Sequence, residues 1–329
     1  MHRATLLLLA AASLIACGMP THQTRAVTSN DFTWTQAADC PLPRFEAMGL
    51  AVQGKLLVMG GFISSSLDVT PRFDVFDPET NTWTQRQDLP GPQTHVGVAM
   101  KDGIVYMVGG FRGPASSWVT SSEFWSYDFA NDVWNALPPL PSRRVALSLT
   151  NVGNTFYAIG GLAADGDSDA ADNTYWSIDD QQWTTSTDLP NPRNHLGGAV
   201  VQGKVYIVGG RHSWDETSGN QSELDVFDPT SSSWTQLTDI PLGRSEIAAS
   251  TFSTGDHLFV IGGSVNPASP SSDVWVYDPS LDQWSALPPL PSPRKGAVAD
   301  VIGNKIIVTT GSPTGIDPAG TTWIGCCLY

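Results

Sequence analysis

Arginine, glutamate and histidine recur at regular intervals along this chain of 329 residues. Six of its twelve arginines fall at one position of a repeated segment when both Arg143 and Arg144 are counted as candidates for one copy. They are Arg44, Arg143, Arg144, Arg193, Arg244 and Arg294, with Gln93 in the remaining copy. Two residues later come Glu46, His95, Val145 or Ala146, His195, Glu246 and Gly296. Guanidinium groups bind carboxylates and other anions, and glutamate with histidine can act as acid and base. The pattern predicts a site for an anionic ligand wherever the fold brings the copies together.

The elements that must position these residues are short strands ending in paired glycines. Residues 201–210 read VQGKVYIVGG, and close copies occur at 52–61, 101–110, 152–161 and 255–263, with a weaker sixth at 302–311. Each copy is a turn followed by about five apolar residues, which is typical of a buried strand. The strand ends fall at 60, 109, 160, 209, 262 and 310. A period near fifty with a doubled glycine predicts one four-stranded blade per repeat.

An aspartate and then a tryptophan follow each full copy. The pairs are Asp77 and Trp83, Asp128 and Trp134, Asp179 and Trp183, Asp228 and Trp234, and Asp278 and Trp284. This pattern resembles the kelch motif over residues 31–329 and implies an all-β, six-bladed kelch β-propeller. We interpret the aspartates as turn caps and the tryptophans as packing between blades, and neither as site residues.

The resemblance implies where the polar positions lie. The first strand of each propeller blade lines the central channel, so the arginine, glutamate and histidine positions should ring one mouth of it. In an acidic protein such a ring would be a focused basic patch. The arginines have a second interpretation, in which they bind loop carbonyls of the neighbouring blade, and His95 and His195 have one as packing residues.

The two ends of the chain are predicted to meet in the last blade. That blade lacks an outer strand, and residues 32–36, with Trp34, supply the only unassigned strand with a matching tryptophan. This pairing would close the ring and hide exposed strand edges. It also separates Cys40 from Cys326 and Cys327, which disfavours a disulfide from Cys40 and leaves a Cys326–Cys327 bond or free thiols open.

The N-terminus predicts secretion and anchoring. Residues 1–16 have a basic start and an apolar run too short for a stable span, which indicates a signal peptide. The sequence LIAC ending at Cys17 resembles the lipobox of bacterial lipoproteins, which implies that Cys17 is lipidated at the outer membrane or cell surface. Residues 17–30 would then be the anchor and its tether, and the lipid the only membrane contact.

Composition and motifs exclude several functions. A net charge of −15 argues against a nucleic-acid partner. The chain has no HExxH motif, no phosphate-binding glycine loop and no pair of CxxC motifs. A copper oxidase of the galactose oxidase type needs Tyr and His residues that match its cysteine, and Cys40 has no obvious partners of this kind. Asp165, Asp167 and Asp169 resemble the start of a calcium loop, but Trp176 stands where glutamate is needed. We therefore interpret this segment as a solvated acidic loop. We expect no metal and no cofactor.

Two functions follow. The favoured one is a monomeric, lipid-anchored, extracytoplasmic binding module that holds a protein segment or an anionic glycan at an arginine-lined mouth. Its ligand-binding residues would be Arg44, His95, Arg143, Arg144, Arg193, His195, Arg244, Glu246 and Arg294. The alternative is an enzyme similar to the N-acetylneuraminate epimerase, with Glu46, Glu246 and His195 as acid and base. The lack of long insertions between blades favours the binding module.

Overall fold

Six antiparallel four-stranded sheets make up a computed structural model of the chain, which describes residues 32–114, 117–214 and 219–326. Successive sheets follow one another along the chain, as the fifty-residue period predicts. Within these residues no helix is long and apolar enough to cross a membrane. Residues 1–31, with the predicted signal peptide and Cys17, lie outside the described residues, as does Cys327.

The sheets are called blades 1 to 6. Blade 1 contains Ala51–Val52, Lys55–Met59, Phe73–Asp77 and Thr82–Gln85. Blade 2 contains Gly97–Lys101, Ile104–Val108, Phe124–Asp128 and Val133–Leu137. Blade 3 contains Ser148–Val152, Thr155–Ile159, Asn173–Ser177 and Trp183–Thr185. Blade 4 contains Gly197–Val201, Lys204–Val208, Leu224–Asp228 and Ser233–Leu237.

Blade 5 contains Thr251–Thr254, His257–Ile261, Val274–Asp278 and Gln283–Leu287, preceded by the 3₁₀ turn Ala248–Ser250. Blade 6 contains Val298–Ile302, Lys305–Thr309, Thr322–Cys326 and Thr33–Ala37. The first strands contact one another around the centre. Short ladders form where the loops meet: Gln93–Thr94, Phe111–Arg112 and Val119–Thr120 in one, and Arg244–Ser245, Ser264–Val265 and Ser269–Pro270 in another.

The predicted pairing of the chain ends is confirmed. Thr33–Ala37 runs antiparallel to Thr322–Cys326, with Trp34 opposite Gly325, and forms the outer strand of blade 6. The outer-strand tryptophans then link neighbouring blades, because each indole Nε1 donates a hydrogen bond to a carbonyl at the end of the preceding blade. The bonds run from Trp34 to Pro288, Trp83 to Ala38, Trp134 to Gln87, Trp183 to Pro138, Trp234 to Thr187 and Trp284 to Thr238.

The paired glycines connect each blade to the next at one face. A Cβ on Gly209 would lie 2.5 Å from the carbonyl oxygen of Arg244, so the approach requires glycine. The following Gly210 donates its N–H to the same carbonyl at 2.8 Å, and the corresponding bond from Gly311 to Arg44 joins blade 6 to blade 1. We call this side the upper face. It carries the loops between second and third strands and the segments that enter each blade.

Candidate ligand site at the upper mouth of the channel

Six residues of one repeat position, called the ring position, surround the channel at the upper face: Glu46, His95, Ala146, His195, Glu246 and Gly296. All six have a left-handed φ, between 50° at Glu46 and 59° at Glu246 and Gly296. Backbone N–H groups donate around the ring from 46 to 296, 296 to 246, 246 to 195, 195 to 146 and 146 to 95. The hydroxyl of Thr94 completes the circle by donating to the Glu46 carbonyl at 2.8 Å.

The arginines do not line this mouth, which corrects the sequence prediction. Arg44, Arg144, Arg193, Arg244 and Arg294 are at most 3% exposed and extend into their own blades. Arg193 donates to the carbonyls of Gly209 and Asn191 at 2.7 and 2.8 Å and to the Asp225 carboxylate at 2.8 Å. Arg193 thus uses most of its donors inside its own blade, and burial keeps all five guanidinium groups away from a ligand at the mouth. The structural interpretation of the arginines therefore holds, although most of their partners lie within their own blade.

The buried arginines contact different groups in their own blades, most of them in the third strand or just before it. Arg44 pairs with Asp74 at 2.7 Å, and Arg244 pairs with Asp273 at 3.0 Å. Arg144 donates to the Ala158 and Asp172 carbonyls and to the hydroxyl of Thr174, and Arg294 stacks 4.3 Å from the Trp323 ring centre. Arg143 is exposed, so Arg144 is the residue that occupies the repeat position. In blade 2, Gln93 is buried at the equivalent place.

The glutamates and histidines of the ring position do come together, as predicted. His95 Nε2 lies 3.0 Å from Glu46 Oε2, and His195 Nε2 lies 3.7 Å from Glu246 Oε1. The two imidazole rings meet edge to face with centroids 4.8 Å apart, although their blades are not adjacent. The ring position thus gathers two carboxylates and two imidazoles at the channel axis.

Two cations that the sequence analysis missed join this cluster. Arg211 is 1% exposed, and its Nη1 lies 2.7 Å from Glu246 Oε1 while its Nη2 lies 3.2 Å from His195 Nε2. Lys295 Nζ lies 3.8 Å from Glu46 Oε1. A signal existed for Arg211, because it directly follows a glycine pair where the other copies have Phe62, Phe111, Leu162, Ser264 and Ser312. The two cations match the two carboxylates, so the mouth is not a basic patch.

The surroundings fix the charges of two ring groups. Burial raises the pKa of Glu46, but the neighbouring His95, Lys295 and Arg211 lower it further, to about 2. Burial and the positive charge of Arg211 hold the pKa of His195 well below its usual value of 6.5. Glu46 is therefore a carboxylate and His195 a neutral imidazole near neutral pH. Neutral His195 must donate from Nδ1 to the Asn194 amide oxygen, which leaves the Nε2 lone pair facing Arg211 and Glu246.

The cavity that the ring side chains line is small. A cavity of about 20 Å³ lies between the ring side chains and an apolar wall that includes Met48, Val96, Leu147 and Ala249. This volume accommodates roughly one water molecule. Deeper in the channel, the Asp300 carboxylate accepts hydrogen bonds from the backbone of Ala51 and Val301, and burial raises its pKa to about 6.

Aromatic side chains form a wall over one side of the ring. Phe62 stacks on Trp118 with centroids 5.3 Å apart, Trp118 on Phe111 at 5.3 Å and Phe111 on Trp214 at 5.9 Å. Trp214 also donates a hydrogen bond to the Gly166 carbonyl and lies 5.4 Å from the Arg211 guanidinium. The aromatic wall, comprising these four residues, thus brings loops of blades 1, 2 and 4 together beside the ring.

The other candidate features have local roles. In the acidic loop, Asp165 accepts hydrogen bonds from the backbone of Asp167 and Ser168, while Asp169 accepts from the backbone of Ser213. Cys40 and Cys326 are free thiols, and Cys40 is buried. Within the described parts of the chain, one group of three His, Cys, Asp or Glu side chains lies close enough together to hold a metal ion, and it consists of His95, His195 and Glu246.

Comparisons with known proteins match most of the propeller. The model of the KLHDC2/KLHL20/DRC7 Kelch-repeats domain matches residues 141–311, and the Kelch motif matches residues 44–90 and 94–141. Kelch-like protein terF of Aspergillus terreus is 28% identical over 290 residues, which are 82% of this chain and 61% of that protein. Kelch-like protein 35 of Mus musculus is 30% identical over 197 residues, 60% of this chain and 32% of that protein. The chain thus spans less than two thirds of these relatives.

Proposed function

Because this chain belongs to the kelch-repeat family, we propose that it is a binding module that holds a protein segment against its upper face. One observation carries the choice of face. Of six exposed large apolar side chains in the described residues, four lie on upper-face loops: Val119, Trp214, Leu242 and Ile316. Contiguous exposed apolar patches mark protein interaction sites, and the exposed Trp214 extends the apolar surface of the aromatic wall. The ligand would cover the aromatic wall and the ring position together.

The choice of face is tested by paired variants. Val119→Ser with Trp214→Ser removes two upper apolar contacts, and Val133→Ser with Leu281→Ser removes two on the opposite face. Proteins cross-linked to the full chain in its host should be lost with the upper pair and kept with the lower pair, with both variants melting like the wild type. Retention with the upper pair and loss with the lower pair would place the ligand on the opposite face.

The module is further proposed to be anchored outside the cytoplasm through Cys17. The support is the sequence LIAC, which resembles a lipobox, after an apolar N-terminal run. Replacing Cys17 with Ala should move the protein from the membrane fraction of a bacterial host into the soluble fraction. Membrane association that survives the substitution would contradict the anchor.

An enzyme that acts on a sugar acid is the second candidate, because Glu46, His195 and Glu246 converge on one cavity. The cavity volume of about 20 Å³ disfavours it, since a sugar ring is several times larger than one water molecule. A glycan would have to bind above the ring, on the loops. The rate of anomer interconversion of N-acetylneuraminate, followed by NMR, separates the candidates: the binding module predicts no acceleration over buffer.

A further inference from the structure

The two ring histidines are oriented in the same way by the residues before them. The hydroxyl hydrogen of Thr94 is used on the Glu46 carbonyl at 2.8 Å, so the contact of 3.1 Å between Thr94 Oγ1 and His95 Nδ1 requires Nδ1 to be the donor. His195 Nδ1 likewise donates to the Asn194 amide oxygen. Both imidazoles therefore present Nε2 to the channel axis.

This orientation is the one that metal-bound histidines require. A histidine ligand usually donates its second ring N–H to a fixed oxygen, which sets the tautomer and the direction of the lone pair. Ligand atoms of His95, His195 and Glu246 lie within 4.8 Å of one another. Glu46 Oε2, 3.0 Å from His95 Nε2, offers a fourth ligand, and the proton that Nε2 shares with this carboxylate is released to solvent when the metal binds. Two imidazoles and two carboxylates suit a divalent transition ion bound tetrahedrally at about 2.0 to 2.2 Å.

Size and charge at the ring are also consistent with a cation. The cavity that the ring side chains line admits an occupant about as large as one water molecule, which is the size of an ion with at most one water ligand. The Arg211 guanidinium already spans His195 Nε2 and Glu246 Oε1, so a positive charge is held between two of the ligand atoms. Arg211 is thus a competitor for the same lone pairs, and its guanidinium also lies 5.4 Å from the Trp214 ring centre.

We propose that His95, His195, Glu246 and Glu46 form a binding site for one divalent transition-metal ion, with zinc as the reference ion, and that Arg211 competes with the metal for it. The metal site lies within the ring position that the proposed protein ligand would cover, and metal binding does not require that ligand. It arises because one repeat position supplies all four ligands from blades 1, 2, 4 and 5.

The test uses the full chain without a polyhistidine tag, loaded with Co²⁺ in place of zinc. We expect one equivalent of Co²⁺ to give the visible absorption of a four-coordinate ion and one equivalent of Zn²⁺ to remove it. His195→Ala should weaken Co²⁺ binding at least tenfold, whereas His257→Ala, a partly exposed histidine elsewhere, should leave it unchanged. Arg211→Met should tighten binding at least tenfold.

Several outcomes would overturn the proposal. One is the absence of stoichiometric Co²⁺ binding in both the wild type and Arg211→Met. Another is equal binding by His195→Ala and the wild type. If His195→Ala does not fold, His95→Gln serves instead, because it removes one ligand nitrogen and keeps a polar side chain of similar length. Weakened binding in Arg211→Met would show that the guanidinium supports the site and does not compete for it.

Discussion

The arginine position and the ring position lie two residues apart in the same repeat, yet their side chains go to different places. Arg193 extends into its blade and is satisfied by carbonyls and Asp225, while His195 faces the channel axis. The difference follows from the backbone. In a regular strand, residues 193 and 195 would point to the same side. The left-handed φ of 52° at His195 turns the chain there, so the two side chains point in different directions. Both positions carry polar or charged residues at a regular spacing, so the sequence pattern could not show which of the two faces the channel.

The largest expected effect is a loss of folding stability when a buried arginine is removed. Arg193→Ala leaves the Asp225 carboxylate buried without its cation, and losing one partner of a buried pair costs about 3 to 5 kcal/mol. Denaturant unfolding should show that loss, while Arg143→Ala, which removes an exposed neighbour of a buried arginine, should stay within about 0.5 kcal/mol of the wild type. Equal stability of the two variants would mean that Arg193 is not structural.

A second variant tests the close packing of the ring position. A Cβ on Gly296 would lie 2.7 Å from Glu46 Cγ and 2.8 Å from the Glu46 nitrogen. Gly296→Ala should therefore cost about 1 to 3 kcal/mol through overpacking, in addition to the strain of a left-handed alanine. Gly303→Ala, with φ of 62° and no atom within 4 Å of the new Cβ, measures that strain alone. Unfolding curves that coincide for the two variants would contradict the tight contact.

The smallest expected effect concerns pH. His195 has a pKa lowered by burial, so the unfolded chain binds a proton below pH 6.5 that the folded chain does not. The stability from the neutral form is present above pH 6.5 and is lost below it, by up to about 1.4 kcal/mol per pH unit. His195→Gln should flatten the decline in unfolding free energy between pH 7.5 and 5.5, and His257→Gln should not. An unchanged slope in His195→Gln would contradict a buried neutral histidine.

Sequence reasoning was reliable where the repeat itself carries the information. The period, the strand boundaries near the glycine pairs and the pairing of Thr33–Ala37 with the last blade depend on hydrophobic pattern and on a matching tryptophan. The convergence of Glu46, His95, His195 and Glu246 followed from their shared position. The period, the outer-strand tryptophan and the ring position recur in every blade, so six copies supply the evidence several times over.

The rest of the site depends on single residues. Arg211 and Lys295 occur once at positions that are otherwise apolar or small and polar, so no repetition draws attention to them. The burial of the arginines depends on third-strand partners such as Asp74, Thr174 and Trp323, which differ between blades. The arginines repeat at one position, but the side chains that bind them differ from blade to blade and form no repeat. The sequence pattern therefore did not show that the arginines are buried, and the predicted arginine-lined mouth is wrong.

The pairing of the two chain ends also has a kinetic consequence. Thr35 and Ile324 are hydrogen-bonded across 289 residues of sequence, so blade 6 cannot be completed before the final strand has been synthesised. Contacts between residues so far apart in the sequence slow folding, because a long loop must be ordered before they form. Until the first strand docks, the edge of Thr322–Cys326 remains unpaired and can recruit another chain. The rate at which the N-terminal strand reaches this edge therefore sets the competition between folding and aggregation.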